Sequence, residues 1–120
     1  MSKKVLIVDD SLYMRTVIKD ALINAGYEVV GQAANGEAAI DMSLELQPDL
    51  ITLDNILPDM LGLDILKVLK SEEVKSKVIM ISAVGQQSVI DEGISLGADE
   101  YLVKPFSNEQ LLEMVGKVIG

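Results

Sequence analysis

Val5-Leu6-Ile7-Val8-Asp9-Asp10-Ser11 joins four consecutive apolar residues to two carboxylates and a hydroxyl. A strand with one wet face alternates apolar and polar residues. An unbroken apolar run instead fits a parallel strand covered by helices on both faces. Similar runs recur at Glu28-Val29-Val30-Gly31, Leu50-Ile51-Thr52-Leu53, Val78-Ile79-Met80-Ile81 and, more weakly, Tyr101-Leu102-Val103.

Helical patterns lie between and after these runs. Met14, Val17, Ile18, Ala21, Leu22 and Ala25 share one helical face, with Ser11 placed to cap it and Gly26 to stop it. Asn35 caps a second pattern through Ala38, Ala39, Ile40 and Leu44, which Pro48 ends. Leu63, Leu66, Leu69 and Lys70 mark a third, and Val89, Ile90, Ile94 and Leu96 a fourth ending near Gly97. Ser107 with Gln110 forms a capping-box pattern before Leu111, Leu112, Val115 and Val118. Five strand-then-helix units predict an α/β fold, a doubly wound parallel sheet with right-handed crossovers. A closed barrel needs about eight such units.

Composition narrows the chemistry. The 120 residues are 49% hydrophobic and contain no histidine and no cysteine. A disulfide framework, a zinc site, a cysteine nucleophile and a Ser-His-Asp triad are therefore excluded. Ten basic against 19 acidic residues leave a net charge of −9, which disfavours nucleic acid as a partner. The apolar run after Met1-Ser2-Lys3-Lys4 is too short for a signal-peptide core or a membrane span. No membrane insertion and a cytoplasmic location are the corresponding expectations.

In an open α/β sheet, sites form beyond the carboxyl ends of the strands. Asp9 and Asp10 follow the first strand, Asp54 the third and Lys104 the fifth, while Ser82 ends the fourth. Taken singly, each reads as an ordinary cap, turn former or exposed loop residue. Together they place three carboxylates, a hydroxyl and an ammonium at one edge of the sheet. If the first and third strands are neighbours, the carboxylates repel and call for a cation. An all-oxygen donor set favours magnesium, with calcium or manganese as alternatives. The chemistry that suits this set is phosphoryl transfer to a carboxylate, with Asp54 as the best-placed nucleophile.

Val5–Ser11, the stretch Asp54-Asn55-Ile56-Leu57-Pro58-Asp59-Met60-Leu61-Gly62, Ser82-Ala83 and Lys104-Pro105-Phe106 resemble the receiver domain of two-component response regulators, specifically stand-alone members of the chemotaxis type. The resemblance covers essentially the whole chain and reads residues 1–120 as one receiver domain without an output domain. It implies a flavodoxin-like (βα)5 sandwich with strand order 2-1-3-4-5. It implies that Asp54 accepts phosphate from the phosphohistidine of a sensor histidine kinase. Asp10, Asp54 and the Ile56 backbone carbonyl then bind magnesium, with Asp9 helping through water. Ser82, Ala83 and Lys104 bind the phosphoryl group. Ser82 and Tyr101 form the switch, with Tyr101 turning inward as Ser82 moves. The surface of the fourth helix, fifth strand and fifth helix is then read by an output protein, the flagellar motor switch being one candidate and a phosphorelay outside chemotaxis the alternative. The expected state is a monomer.

Three positions depart from the family's usual pattern. Ile56 and Val84 are apolar where polar residues are frequent, and are expected to shield the acyl phosphate from water. Leu61 stands where Asn or Asp commonly caps the third helix, and Leu57, Met60 and Leu61 are expected to expose an apolar contact cluster. Turnover of an external metabolite is not expected. A phosphatase of the haloacid dehalogenase type carries a second acid two residues after its nucleophile, and Ile56 is not one. A scaffold that has lost phosphorylation conflicts with the intact acid, serine and lysine set. No P-loop or G-x-G-x-x-G follows the first strand, which removes the usual nucleotide sites.

Overall fold

The computed structural model describes residues 2–120, so that only Met1 lies outside it. Strands β1 (Lys4–Val8), β2 (Glu28–Ala33), β3 (Leu50–Leu53), β4 (Lys77–Ser82) and β5 (Glu100–Val103) alternate with five helices. These are α1 (Leu12–Asn24), α2 (Gly36–Leu46), α3 (Gly62–Ser71), α4 (Gln87–Ser95) and α5 (Asn108–Ile119). The strands form one parallel sheet in the order β2-β1-β3-β4-β5. Fold class and strand order are those expected from the sequence. No helix among the described residues is long and apolar enough to cross a membrane.

Alternation along each strand divides the core in two. Leu6, Val8, Ile51, Leu53, Val78 and Met80 pack with the buried residues of α3 on one face. Val5, Ile7, Leu50, Ile79, Ile81 and Leu102 pack against α1 and α5 on the other. Both faces are covered, which is why β1, β3 and β4 are largely apolar instead of alternating.

The local signals hold at the helix starts. The Ser11 hydroxyl accepts from the Met14 N–H, the Asn35 side chain accepts from Ala38, and Ser107 with Gln110 forms a complete capping box. Gly26 adopts a φ of 94°, the left-handed conformation suited to the stop after α1. Strand β2 runs two residues beyond the expected apolar core, because Gln32 and Ala33 pair with Ile7 and Val8.

Leu57, Met60 and Leu61 do not form the expected exposed cluster. Leu57 is buried and Met60 is half-buried against the same core layer, so Leu61 is the one exposed member of the three. The β3–α3 segment folds back on itself, pairing Ile56 with Leu61 at the surface and turning Leu57 and Met60 inward.

One core position carries an unmet demand. The Thr52 hydroxyl is buried in β3 without a hydrogen-bond partner, and Thr52 is flanked in the sheet by Ile7 and Ile79. An orphaned buried hydroxyl costs about 1–3 kcal/mol. Thr52→Val therefore raises stability by about 1 kcal/mol, roughly 4 °C in melting temperature. A calorimetric scan checks it, and a lower midpoint for the variant refutes it.

Candidate functional site

The register brings the acids together. Val8 pairs with Leu53 across β1 and β3, so Asp9 and Asp54 leave neighbouring strands side by side. The Asp54 N–H donates to the Val8 carbonyl at 3.0 Å, and that of Asp9 to Ala33 at 3.0 Å. Carboxylate oxygens of Asp9, Asp10 and Asp54 all lie within 4.8 Å of one another, with Asp10 exposed and the other two buried. Lys104 reaches in after β5. Its ammonium donates to Asp9 Oδ2 at 2.7 Å and to Asp54 Oδ2 at 3.4 Å. The Lys104–Pro105 peptide is cis.

Asp9 is committed on several sides. Besides Lys104, its Oδ1 accepts the Ser11 N–H at 2.9 Å, and its backbone carbonyl accepts Arg15 Nη1 at 2.7 Å. Arg15 also donates to Gln32 at 3.1 Å, tying the turn after β1 to β2. The spacing of one helical turn from Ser11 was the available signal for Arg15, and an arginine on a helix start is too common to single out. Asp54 Oδ1 accepts a long bond from the Ile56 N–H at 3.4 Å.

Burial raises the Asp54 carboxyl above its ordinary value and the Asp9 charge adds to this, while Lys104 opposes it. For Lys104, burial works against the charge, but hydrogen bonding and attraction from Asp9 and Asp54 outweigh it, so its pKa is raised. Three carboxylates thus face one ammonium, and the surplus negative charge lies where a hard cation fits. The oxygen-only donor set suits Mg2+.

Ser82 and Ala83 stand at the end of β4, Ser82 buried and Ala83 exposed. Ser82 Oγ accepts the Val84 N–H at 3.2 Å. Tyr101 is already turned inward, its hydroxyl donating to the Val84 carbonyl at 2.6 Å. A Cβ placed on Gly93 would meet the ring at 3.6 Å, an ordinary van der Waals contact, so the inward ring packs closely against α4. Ile56 is exposed at the rim and Val84 half-buried.

The cap that Leu61 cannot supply comes from Asn55. Its side-chain oxygen accepts the Leu63 N–H at 3.2 Å, and its carbonyl accepts the Gly62 N–H at 2.6 Å. The residue after Asp54 therefore anchors α3. A cavity of about 530 Å³ beside Pro48, Asp49, Ser76 and Lys77 lies at the opposite edge of the sheet, away from the acids.

A parallel five-stranded sheet with acids, serine and lysine at its carboxyl edge defines a class, and residues 5–116 match the response regulator receiver domain family. The chain belongs to that family. It is 43% identical to the chemotaxis protein CheY of Thermotoga maritima over 118 residues, covering 98% of each chain. It is 42% identical to CheY of Bacillus subtilis over 120 residues, the full length of both. Among solved structures, it is similar to the CheX–CheY–BeF3–Mg2+ complex from Borrelia burgdorferi, with a TM-score of 0.93 and 30% identity, covering 98% of this chain and 90% of that one. The response regulator domain of Thermotoga maritima CheB superposes with a TM-score of 0.91 at 31% identity, covering 99% and 97%.

Proposed function

We propose that this chain is a phosphorylation-operated response regulator of the chemotaxis type, with Asp54 as phosphoacceptor. The observation that carries the reading is the convergence of Asp9, Asp10 and Asp54 with the Lys104 ammonium between Asp9 and Asp54. An Asp54 oxygen attacks phosphorus, an acyl phosphate forms, and the phosphorus–nitrogen bond to the donor imidazole breaks with its electron pair left on nitrogen. Asp10, Asp54 and the Ile56 carbonyl would hold the cation, with Asp9 assisting through water. Mg2+, or Mn2+ or Ca2+ in its place, would supply neutralisation of the phosphoryl charge there. Lys104 shares that load, and Ser82 and the Ala83 N–H bind the remaining oxygens.

The donor in this reading is a sensor histidine kinase in the cytoplasm. The output partner reads the surface of α4, β5 and α5, where Tyr101 and Ser82 meet through Val84. The similarity to CheY proteins supports chemotaxis, with the flagellar motor switch as the first partner to test. The chain transforms no external metabolite and acts as a monomer.

Incubation with a small phosphoramidate and Mg2+ tests the reading. Stoichiometric, acid-stable and base-labile labelling supports it. Sustained turnover of phosphomonoesters supports a phosphatase instead. Beryllofluoride that fails to bind, or binds without changing any partner's affinity, supports a scaffold.

Ile56 and Val84 flank the acceptor with apolar surface, and water near an acyl phosphate needs a polar group to orient it. Ile56→Asn speeds decay of the labelled protein by about tenfold, equal to about 1.4 kcal/mol of barrier. An unchanged decay rate eliminates the shielding role.

A further inference from the structure

The β3–α3 segment is fastened at two points. At one end, Asn55 receives the first N–H groups of α3. At its tip, Asp59 Oδ1 accepts the Gly36 N–H at 2.7 Å and Oδ2 accepts the Glu37 N–H at 3.0 Å. Gly36 and Glu37 begin α2, so one carboxylate fills two donors that the helix leaves open, at its positive end. Packing reinforces the contact: a Cβ on Gly36 would lie 2.7 Å from Met60 Sδ, so only glycine admits Met60 there. Between the tip and the Asn55 anchor lies Ile56, paired with Leu61, while the Leu57 N–H donates to the Met60 carbonyl at 3.2 Å. Ile56 is thus carried on a small hairpin held from both sides.

We propose that Asp59 is a positioning residue for the cation site: by clasping the N-terminus of α2 it fixes the hairpin that carries the Ile56 carbonyl. The inference rests on the receiver reading above. Without the clasp the tip is free to move, and the ordering of the hairpin has to be supplied when the cation binds. The helix itself does not depend on Asp59 alone, since Asn35 caps Ala38 at 2.8 Å. A change at Asp59 therefore loosens the hairpin while leaving α2 in place. By linkage, cation binding should in turn protect the Gly36 and Glu37 amides from exchange.

Calorimetric titration of the full chain with Mg2+ tests this with wild type, Asp59→Ala, Asp59→Asn and Asn35→Ala. Asp59→Ala weakens Mg2+ binding by about tenfold, the size seen when an outer-shell partner is lost. Asp59→Asn, which keeps one acceptor oxygen, falls between it and wild type. Asn35→Ala, which loosens α2 without touching the hairpin, binds Mg2+ as wild type does. Hydrogen exchange of the Gly36 and Glu37 amides slows on adding Mg2+ to wild type and not to Asp59→Ala. Equal affinity for wild type and Asp59→Ala overturns the proposal while the receiver reading stands. So does an Asn35→Ala loss as large as that of Asp59→Ala. Wild type that shows no saturable Mg2+ binding removes the receiver reading, and this inference with it.

Discussion

Asp54→Asn abolishes labelling by a phosphoramidate and, in metal-free buffer at neutral pH, makes the protein more stable. The first effect follows from chemistry: a neutral amide offers no carboxylate oxygen to phosphorus. The second follows from electrostatics. Burial, helped by the Asp9 charge, raises the Asp54 carboxyl above its value in the unfolded chain, against the opposing pull of Lys104. The folded state then holds that proton more tightly than the unfolded state. Stability falls as pH rises from the unfolded carboxyl range through the raised value, and stays lowered above it. Asparagine keeps the shape and removes the charge. Lys104 keeps its shorter contact, the 2.7 Å bond to Asp9. The expected gain is roughly 1 kcal/mol, or about 4 °C in melting temperature. The advantage shrinks as pH is lowered into the carboxyl range, because wild-type Asp54 is then protonated as well. Mg2+ stabilises wild type by mass action and the variant less, since a ligand is missing. Thermal melts across pH, with and without Mg2+, read all of this. A variant that is still labelled, or that melts lower than wild type at neutral pH without metal, contradicts the assignment.

Gly62→Ala carries the largest loss of stability. A Cβ on Gly62 would overlap the Asp54 carbonyl oxygen and lie 2.8 Å from the Asn55 Cα. Both are backbone atoms, so no rotamer change relieves the clash. The Gly62 N–H is also committed to the Asn55 carbonyl at 2.6 Å, which prevents α3 from backing away. Such overpacking costs about 3 kcal/mol, roughly 12 °C in melting temperature. The acceptor's own backbone must shift, so labelling of the folded fraction slows as well. Gly116→Ala in α5 is the internal control. Its Cβ meets nothing within 4 Å, and helix propensity favours alanine by up to about 1 kcal/mol. Urea titrations should move the two variants in opposite directions. Gly62→Ala as stable as wild type refutes the close-approach argument.

The asymmetry between these two glycines is invisible along the chain, and the same division runs through the whole molecule. The strands, the helix faces and the caps at Ser11, Asn35 and Ser107 could be read directly, because a strand buried on both sides must be apolar throughout. A cap closes over three residues, so donor and acceptor are written next to each other. The strand-end residues Asp9, Asp10, Asp54, Ser82 and Lys104 were legible for a similar reason: in parallel strands, every carboxyl end points to the same edge.

Contacts that cross between units escaped that reading. Asn55 replaces the cap missing at Leu61 from across a loop, and Asp59 reaches α2 over 23 positions of sequence. Leu57 and Met60 turn inward because the hairpin folds back, and Tyr101 lies inward with its hydroxyl donating to the Val84 carbonyl. Thr52 reads as an ordinary strand residue until its neighbours prove to be Ile7 and Ile79. Local hydrogen bonds and periodicity are properties of adjacent residues, and so they are present in the sequence. Which donor meets which acceptor across the sheet depends on register and on how the loops fold back, and those exist only once the chain has folded.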